Sequence, residues 1–248
     1  MAHQITGIDH LRLAVGSLDA AGQAFARLGF SVGSPAGFSV GPYQIELVAE
    51  TGLGGVAKVI DLGLGCRDLD ASRESLRRCG IETVPPQSPE NPAVRLSADL
   101  TSGVPASLGR QQDRTDIPQH PNSAGKLVSV TALLDDPDGA VSGFSRLFGP
   151  ASCTPTDETV TVYTGNSLLF LVTSGGFDDL HPSLDIRLPP APAIVVLTIG
   201  VRDITQTAAV LAAQGVAVKR WGGHLAVPAK DALGIGLEFV ELTTRGNS

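Results

Sequence analysis

The sequence predicts an α+β fold made of four copies of one βαβββ unit, and two observations lead to that prediction. An alternating apolar strand, an Asp- or Thr-led turn and a small helix ending near a glycine recur four times along the chain. Along each of these strands, apolar and polar residues alternate with the period of two that a half-buried strand shows. Because one such unit cannot bury its own apolar face, the four units are expected to pack on one another. Their first strands begin near Ile8, Ile60, Leu127 and Ile194.

The first repeat, residues 5–50, shows the pattern most clearly. A helix is predicted over 20–28, with Asp19 in its first turn, where a carboxylate suits the unpaired backbone N–H groups. Gly29 suits the left-handed conformation that ends a helix. Shorter strands, interrupted by glycine and proline, are predicted over 30–32, 38–40 and 43–48.

Three further repeats follow, over 57–112, 126–174 and 193–242. The second contains a predicted helix over 69–79 and later strands that are weakly marked. The stretch 175–192, between the third and fourth repeats, is rich in Pro and Asp and is predicted to be a loop.

A break in the pattern divides the four repeats into two pairs. Residues 113–125 contain two prolines and no apolar periodicity, which indicates a linker. We therefore predict two domains, 1–115 and 126–248, joined by a linker at 116–125.

The composition indicates a globular protein and argues against nucleic acid as a partner. Hydrophobic residues make up 42% of the 248 residues and charged residues 17%, the balance of a folded chain rather than a disordered one. The net charge is −7, aromatic residues make up only 4%, and basic residues are not clustered. A nucleic-acid-binding surface is therefore not expected.

The sequence also predicts a cytoplasmic location without membrane association. No apolar run reaches the length of a membrane span, and residues 1–4 lead into the first strand without a secretory leader. The three cysteines are an odd number without metal-ligand spacing, which indicates free thiols in a reducing compartment.

Several short segments occur in the order and at the spacing seen in one known family. Ile-Asp-His-Leu at 8–11 and Leu-Asp-Ala-Ala at 18–21 open the first repeat, Ile-Glu-Leu at 45–47 closes it, and residues 227–240 form a similar ending. His-Pro-Asn-Ser-Ala at 120–124 is similar to a linker of two-domain relatives. Over nearly its whole length, the chain resembles the glyoxalase-like members of the vicinal oxygen chelate superfamily, the glyoxalase, bleomycin resistance and dioxygenase type.

The resemblance implies that two βαβββ modules curl their strands into one mixed-sheet cup, so that four modules form two cups. In metal-dependent relatives, residues on the first and last strands of the modules chelate a divalent ion, which holds two neighbouring oxygens of the substrate. Activities in the superfamily include isomerisation, epimerisation, ring-cleaving dioxygenation, thiol transfer to an epoxide and drug sequestration. Fold alone does not choose among these.

Alternation in the first repeat selects the side chains that face the cup. If Leu11 packs under the helix, His10 and Arg12 point to the opposite face, and Gln44 and Glu46 share that face on the last strand. An imidazole and a carboxylate on neighbouring strands are a start for a divalent-metal site. The resemblance implies ligand roles for His10 and Glu46. The alternative is a strand histidine that is hydrogen-bonded to a carboxylate without a metal.

The repeat gives each candidate ligand its equivalents in the other modules. Counting back nine residues from the helix-start position assigns Asp61, Ser129 and Val196 as the equivalents of His10. The equivalents of Glu46 are expected near 109–111 in the second repeat and at Phe170 and Glu238 in the third and fourth.

The ligand set depends on which modules pair. Pairing of modules one and two predicts His10, Glu46 and Asp61 as metal ligands, whereas pairing of modules one and four predicts His10, Glu46 and Glu238. The other cup, lined by residues such as Ser129, is poor in ligands and is expected to be filled by its own side chains.

Three side chains are predicted to bind substrate: Arg12, Tyr43 and Gln44. The Arg12 guanidinium suits a carboxylate in a bidentate contact. The alternative is a salt bridge from Arg12 to Glu46 or Asp61, which would compete with metal binding.

Two functional hypotheses from different classes follow. The first is an enzyme, a metal-assisted lyase or isomerase of a small oxygenated metabolite, with His10 as ligand, Glu46 as ligand and catalytic proton shuttle, and Arg12 as anion anchor. Its divalent ion would be Fe, Mn, Ni, Co or Zn. The second is a protein without a metal that binds or sequesters a small molecule. A small-molecule ligand is the partner in both hypotheses, and a homodimer is left open.

Overall fold

A computed structural model of the protein describes residues 4–33, 36–84 and 93–243. The helices are α1 (Leu18–Arg27), α2 (Leu69–Arg78), α3 (Ala98–Thr101), α4 (Pro137–Phe148), α5 (Phe177–Leu180) and α6 (Ile204–Ala213). The strands form two mixed β-sheets that do not close into barrels. Helices together with these sheets confirm the α+β prediction.

The first sheet contains seven strands in the spatial order β2-β3-β1-β4-β7-β6-β5. They are β1 (Ile5–Val15), β2 (Gly37–Val40), β3 (Tyr43–Ala49), β4 (Lys58–Cys66), β5 (Thr83–Val84), β6 (Val94–Leu96) and β7 (Ala106–Arg110).

The second sheet contains eight strands in the spatial order β13-β14-β15-β12-β8-β11-β10-β9. They are β8 (Ala124–Leu133), β9 (Cys153–Thr156), β10 (Thr159–Tyr163), β11 (Leu168–Val172), β12 (Ala193–Val201), β13 (Lys219–Trp221), β14 (His224–Val227) and β15 (Gly236–Glu241).

The two sheets share one topology. In each module the first strand pairs in parallel with the last, as β1 does with β3 and β12 with β15. At the centre of each sheet the first strands of two modules pair antiparallel, β1 with β4 and β8 with β12. Modules one and two therefore form one sheet and modules three and four the other, which decides between the two pairing schemes. The division into domains at 115 and 126 stays a prediction, and its outer ends, residues 1–3 and 244–248, lie outside the described residues.

Each long helix begins at the same kind of cap. The side chains of Ser17, Asp68, Asp136 and Asp203 each accept a hydrogen bond from a backbone N–H in the first turn that follows. Such a cap contributes about 1 kcal/mol to helix stability, and it fixes the helix start relative to the strand before it. The sequence assigned equivalent strand positions by counting back nine residues from the helix-start position. In the structure, each of these positions lies seven residues before its cap.

The first module departs from the expected βαβββ pattern, because residues 30–32 form no strand. Phe30 follows the helix directly, its N–H donates to the Phe25 carbonyl, and its ring stacks on Phe38 and Phe239. Because the Phe30 side chain packs in the core on the helix side, residues 30–32 do not pair with a strand of the sheet. An isolated β-bridge joins the next residue, Gly33, to Gly37.

Helix-facing side chains of both sheets form one continuous apolar core. Leu11 and Ile45 of the first sheet and Val130 and Leu169 of the second belong to it, and each is fully buried. The opposite face of each sheet is the cup that the resemblance implies. No helix among residues 4–33, 36–84 and 93–243 is long and apolar enough to cross a membrane.

Candidate functional site

Equivalent positions in the four modules can be assigned from the caps and the strand register. The position seven residues before each cap is His10, Asp61, Ser129 and Val196, as the sequence predicts. Two residues further, Arg12 pairs with Glu46 across the parallel strands, and the corresponding partners on the other last strands are Ser107, Phe170 and Glu238. The second module thus has Ser107 where the sequence suggested 109–111.

The first cup, the open face of the first sheet, holds His10 between two carboxylates. The Nδ1 atom of His10 lies 3.1 Å from Asp9 Oδ2, and Nε2 lies 3.6 Å from Asp61 Oδ2. Ser107 donates a hydrogen bond of 2.7 Å to the same Asp61 oxygen. Burial lowers the pKa of His10, but hydrogen bonds to Asp61 and Asp9 outweigh it and raise the pKa to about 9. At neutral pH His10 is therefore an imidazolium, with a hydrogen bond from Nδ1 to Asp9 and an ion-pair contact from Nε2 to Asp61.

Gly63 makes room for the His10 ring. A Cβ atom at Gly63 would lie 2.1 to 2.3 Å from three ring atoms of His10, so only glycine leaves the ring where it is. A β-bulge between Ile8 and His10, against β4, accompanies this arrangement. The neighbouring residue Asp9 is 6% exposed and shares the ion-pair cluster with His10.

Asp9 is held by the segment that leaves the first sheet. Arg114 places Nη1 3.2 Å from Asp9 Oδ1 and Nη2 3.3 Å from Oδ2, and the backbone N–H of Gln112 donates to Oδ1. Arg114 also donates to the Pro42 carbonyl at 2.7 Å. Burial raises the pKa of Asp9, but hydrogen bonds from His10 and Arg114 more than offset it and hold that pKa below its usual value. Neither Asp9 nor Arg114 was selected from the sequence.

Arg12 and Glu46 form the salt bridge that the sequence left as an alternative. Arg12 Nε lies 3.4 Å from Glu46 Oε2, and the two side chains are 35% and 47% exposed. The Nε atom itself is inaccessible to solvent and has no hydrogen-bond partner among the described residues. Gln44, the neighbour of Glu46 on the cup face, accepts from Ser39 Oγ at 2.8 Å.

Tyr43 does not reach the first cup. Its hydroxyl donates to the Asn166 carbonyl at 2.9 Å and accepts from Ser167 Oγ at 3.0 Å, and its side chain is 2% exposed within the helix-side core. Strand alternation explains the placement, because Tyr43 and Gln44 are consecutive and must face opposite sides. The predicted contact of Tyr43 with substrate is therefore wrong, and Tyr43 instead links the two sheets through its hydrogen bonds.

Glu238 is also separated from the predicted ligands, because it lies on β15 in the second sheet. The set of His10, Glu46 and Glu238 is therefore not brought together. Within the first cup, both nitrogens of His10 face carboxylates on different sides of the ring, and Glu46 is paired with a guanidinium. Across the described parts of the chain, no three His, Cys, Asp or Glu side chains are grouped to hold a metal ion. The residues present do not fit the metal shell that the resemblance implies.

The second cup is closed by the connection 173–192, here called the plug. Phe177 and Leu184 of the plug are buried against Leu133, Val172 and Ala226, which face the cup. The sequence predicted a second cup filled by its own side chains, whereas the structure covers this cup with the plug, a segment that the sequence predicted only as a loop.

The plug is joined to the polar residues of that cup through His181. Its Nε2 atom lies 2.8 Å from Thr131 Oγ1, and its Nδ1 lies 3.0 Å from Glu238 Oε2, which is also 3.5 Å from His224 Nδ1. A hydroxyl, an imidazole and a carboxylate in this order have the connectivity of a nucleophile–base–acid triad. Thr131 is 0% exposed and His181 and Glu238 are each 3% exposed, so no substrate reaches the hydroxyl. The cluster therefore anchors the plug.

His120 likewise has a structural role. Its Nδ1 accepts from the backbone N–H of Ser31 at 2.9 Å, and its Nε2 donates to the Ser39 carbonyl. Burial lowers the pKa of His120, because removal from water disfavours the charged ring, and the N–H that Ser31 donates needs an unprotonated Nδ1.

No known family model matches the sequence, and no curated protein is significantly similar to it. Solved structures do match. Homoprotocatechuate 2,3-dioxygenase from Arthrobacter globiformis has a TM-score of 0.69 and 13% identity over 100% of this chain and 84% of its own. A catechol 2,3-dioxygenase has a TM-score of 0.66 and 16% identity over 96% of this chain and 88% of its own.

A third structure is a fusion of a xylose isomerase-like TIM barrel with a 4-hydroxyphenylpyruvate dioxygenase, with a TM-score of 0.67 and 16% identity. It is covered over 51% of its length, so this chain spans about half of that protein. At such identities the likeness is one of fold. By its two sheets of paired modules, the chain has the fold of the vicinal oxygen chelate superfamily, the one its sequence resembles.

Proposed function

We propose that this protein binds a small oxygenated organic molecule in its first cup through hydrogen bonds and charge, without a metal ion. One observation carries the proposal: every candidate ligand of the first cup already has a charged or hydroxyl partner from the protein. His10 is paired with Asp9 and Asp61, and Glu46 is paired with Arg12. Because each of these side chains is already paired with an opposite charge, no vacant set of donor atoms is left for a divalent ion.

The shape of the protein beside these residues supports a ligand of that size. A cavity of about 760 Å³ adjoins Gln44 and Glu46 and extends to Arg114 and Asp116. Ligand pockets are commonly about 300–1,000 Å³. The exposed pair of Arg12 and Glu46 presents a cation that donates and a carboxylate that accepts, which suits a ligand with both a carbonyl or carboxylate oxygen and a hydroxyl group.

A thermal-shift screen tests this proposal with small hydroxy acids and diols, such as glycerate, tartrate and catechol. We expect at least one of them to stabilise the wild type, since a ligand of the native state raises stability by mass action. The variants Arg12→Gln and Glu46→Gln should lose the shift. The control variants Arg110→Gln and Glu50→Gln, both exposed and neither in the cavity lining nor in the ion pair of Arg12 and Glu46, should keep it. A shift that survives in all four variants would contradict the assignment to this cup.

A second candidate is the metal-assisted lyase or isomerase, with His10, Glu46 and Asp61 as ligands and Glu46 as catalytic residue. It is favoured by the fact that these three occupy three of the four equivalent strand positions of one cup. The resemblance implies that the ion there would be Fe, Mn, Ni, Co or Zn.

Metal uptake separates the two candidates. The protein is incubated with each of the five ions, dialysed and submitted to elemental analysis. We expect no stoichiometric uptake. Stoichiometric metal in the wild type that is lost in both His10→Ala and Glu46→Gln would replace the first proposal by the second.

The assembly and location of the protein remain predictions. A homodimer is one expected state, and light scattering of the purified chain distinguishes it from a monomer. A cytoplasmic location is likewise retained from the sequence alone.

A further inference from the structure

A second ligand-sized cavity lies at the mouth of the plugged cup, away from the first cup. Its volume is about 960 Å³. Most of the lining comes from three separate parts of the chain: the connection that contains Val56, the end of the plug at Leu188, and the turn that contains Leu233. The buried side chains of Leu133 and Leu134 contribute to it as well. No cup-facing residue of the first sheet lines this cavity, so the inference does not depend on the proposed function.

The walls of this cavity are aliphatic and partly exposed. Val56 is 54% exposed, a large value for a valine in a concave region, and Leu188 and Leu233 are half-buried. None of the described residues in the lining is aromatic. Contact of a ligand with these side chains removes apolar surface from water, which favours binding.

Backbone hydrogen bonds join the walls. The N–H of Ala57 donates to the Leu233 carbonyl at 2.7 Å, and the N–H of Gly234 donates to the Ala229 carbonyl at 2.7 Å. Apolar packing and the His181 hydrogen bonds hold the plug on the other side. A site with preformed walls loses little conformational entropy when it binds.

The rim of the cavity carries more positive than negative charge. Arg187 and Lys230 are exposed, and neither forms a hydrogen bond or an ion pair with any described residue. Among the described residues, Asp135 is the one acidic side chain in the lining, and it too has no such partner. The local balance is therefore one net positive charge, on a chain whose overall net charge is −7.

We propose that this cavity binds an amphiphilic organic anion, an aliphatic carboxylate whose chain contacts Val56 and Leu188 and whose head group pairs with Arg187 and Lys230. Aliphatic walls select the aliphatic body, and the two unpartnered cations select the negative head group. The carboxylate of Asp135, at the same rim, disfavours ligands of higher negative charge.

Isothermal titration calorimetry with octanoate tests the proposal, alongside 1-octanol and octyltrimethylammonium as neutral and cationic probes of the same chain length. We expect octanoate to bind best and the cation to bind worst. The double variant Arg187→Gln, Lys230→Gln should weaken octanoate binding by about tenfold or more, because each charge-assisted contact to the head group is lost. The control variant Lys219→Gln, an exposed lysine on β13 outside the lining, should bind like the wild type.

Two further variants separate this site from its alternatives. Val56→Ser should weaken octanoate and octanol alike, because it removes apolar wall. Arg12→Gln should leave octanoate binding unchanged, because Arg12 belongs to the first cup. The proposal is overturned if octanoate does not bind, if the double variant binds it as well as the wild type does, if octanol or the cation binds as tightly as octanoate, or if Arg12→Gln abolishes binding. Circular dichroism of each variant confirms that it is folded.

Discussion

The two cups have the same strand order and equivalent positions, yet one is open and the other is closed. Glu46 and Glu238 occupy the same position on the last strands of their modules, but their side chains are 47% and 5% exposed. The difference arises in the connection between paired modules. Eight residues, 50–57, join β3 to β4, whereas the twenty residues of the plug join β11 to β12. A long connection without a sheet position of its own has to bury its apolar side chains somewhere, and the cup is the available surface.

The comparison also shows how charge is neutralised in each half. In the first cup, carboxylates pair with His10, Arg12 and Arg114, and the pair of Arg12 and Glu46 stays in contact with water. In the second cup, one buried carboxylate is shared by two histidines. Ion pairs that face solvent contribute little to stability, while a buried carboxylate is costly to leave without its partners.

The largest expected effect concerns the plug. Phe177→Ala removes a ring that is 2% exposed and leaves a cavity in the second cup, so we expect a loss of about 3–5 kcal/mol in the free energy of unfolding. Urea denaturation measures it. The control is Trp221→Ala, since Trp221 is 62% exposed and should cost less than about 0.5 kcal/mol. Similar losses for the two variants would mean that the plug does not pack in the cup.

The next effect contrasts equivalent carboxylates. Glu238→Ala leaves His181 and His224 without their shared acceptor in a buried site, and we expect a loss of about 3 kcal/mol. Glu46→Ala removes a half-exposed salt bridge and should cost no more than about 1 kcal/mol. Equal losses, measured by urea denaturation under the same conditions, would remove the distinction between the cups.

We expect His10 of the first cup to make the free energy of unfolding depend on pH. The pKa of His10 is raised from 6.5 to about 9, so its contribution is fully present below pH 6.5 and is lost as the pH rises through 9. After allowance for solvent screening, this amounts to about 2 kcal/mol. The variant Asp61→Asn should flatten the profile between pH 6.5 and 9. An unchanged slope in that variant would show that Asp61 does not hold the imidazolium.

The pKa of His120 shifts in the opposite direction. Its native-state pKa is lowered below 6.5, so its contribution is present above pH 6.5 and is lost as the pH falls through that lowered value. The variant His120→Gln should reduce the acid-side loss of stability and leave the alkaline side as in the wild type.

The smallest expected effect tests the close approach of the His10 ring to Gly63 in the first cup. Gly63→Ala should displace the His10 ring at a cost of about 1 kcal/mol, and it should move the pKa of His10 back towards 6.5. Gly109→Ala on neighbouring β7 is the matched control, because its Cβ meets Ala93 only at an ordinary contact distance of 3.4 Å. Titration of the His10 ring by NMR measures the shift, and the same titration curve in both variants would contradict the close approach to Gly63.

Local features of the chain predicted much of this structure. Strand alternation placed His10, Arg12 and Glu46 on one face, and the recurring turn located their equivalents Asp61 and Ser129. The same alternation, applied to Tyr43, would have turned it towards the core. These inferences succeed because periodicity and caps act over a few residues, and they do not depend on what packs from elsewhere.

The sequence by itself determined the repeat, the α+β class and the resemblance to one fold. Each of these depends on short-range patterns of apolar residues, caps and glycines. The tertiary structure alone decided the partners of those residues. Arg114 meets Asp9 across 105 positions, and His181 meets Glu238 across 57. Such contacts form only when distant strands and connections fold onto one another, and they determine whether a carboxylate is left to bind an ion or is already paired. For that physical reason the sequence could suggest a metal site, while the folded structure shows that each of its proposed first-cup ligands already contacts another charged side chain.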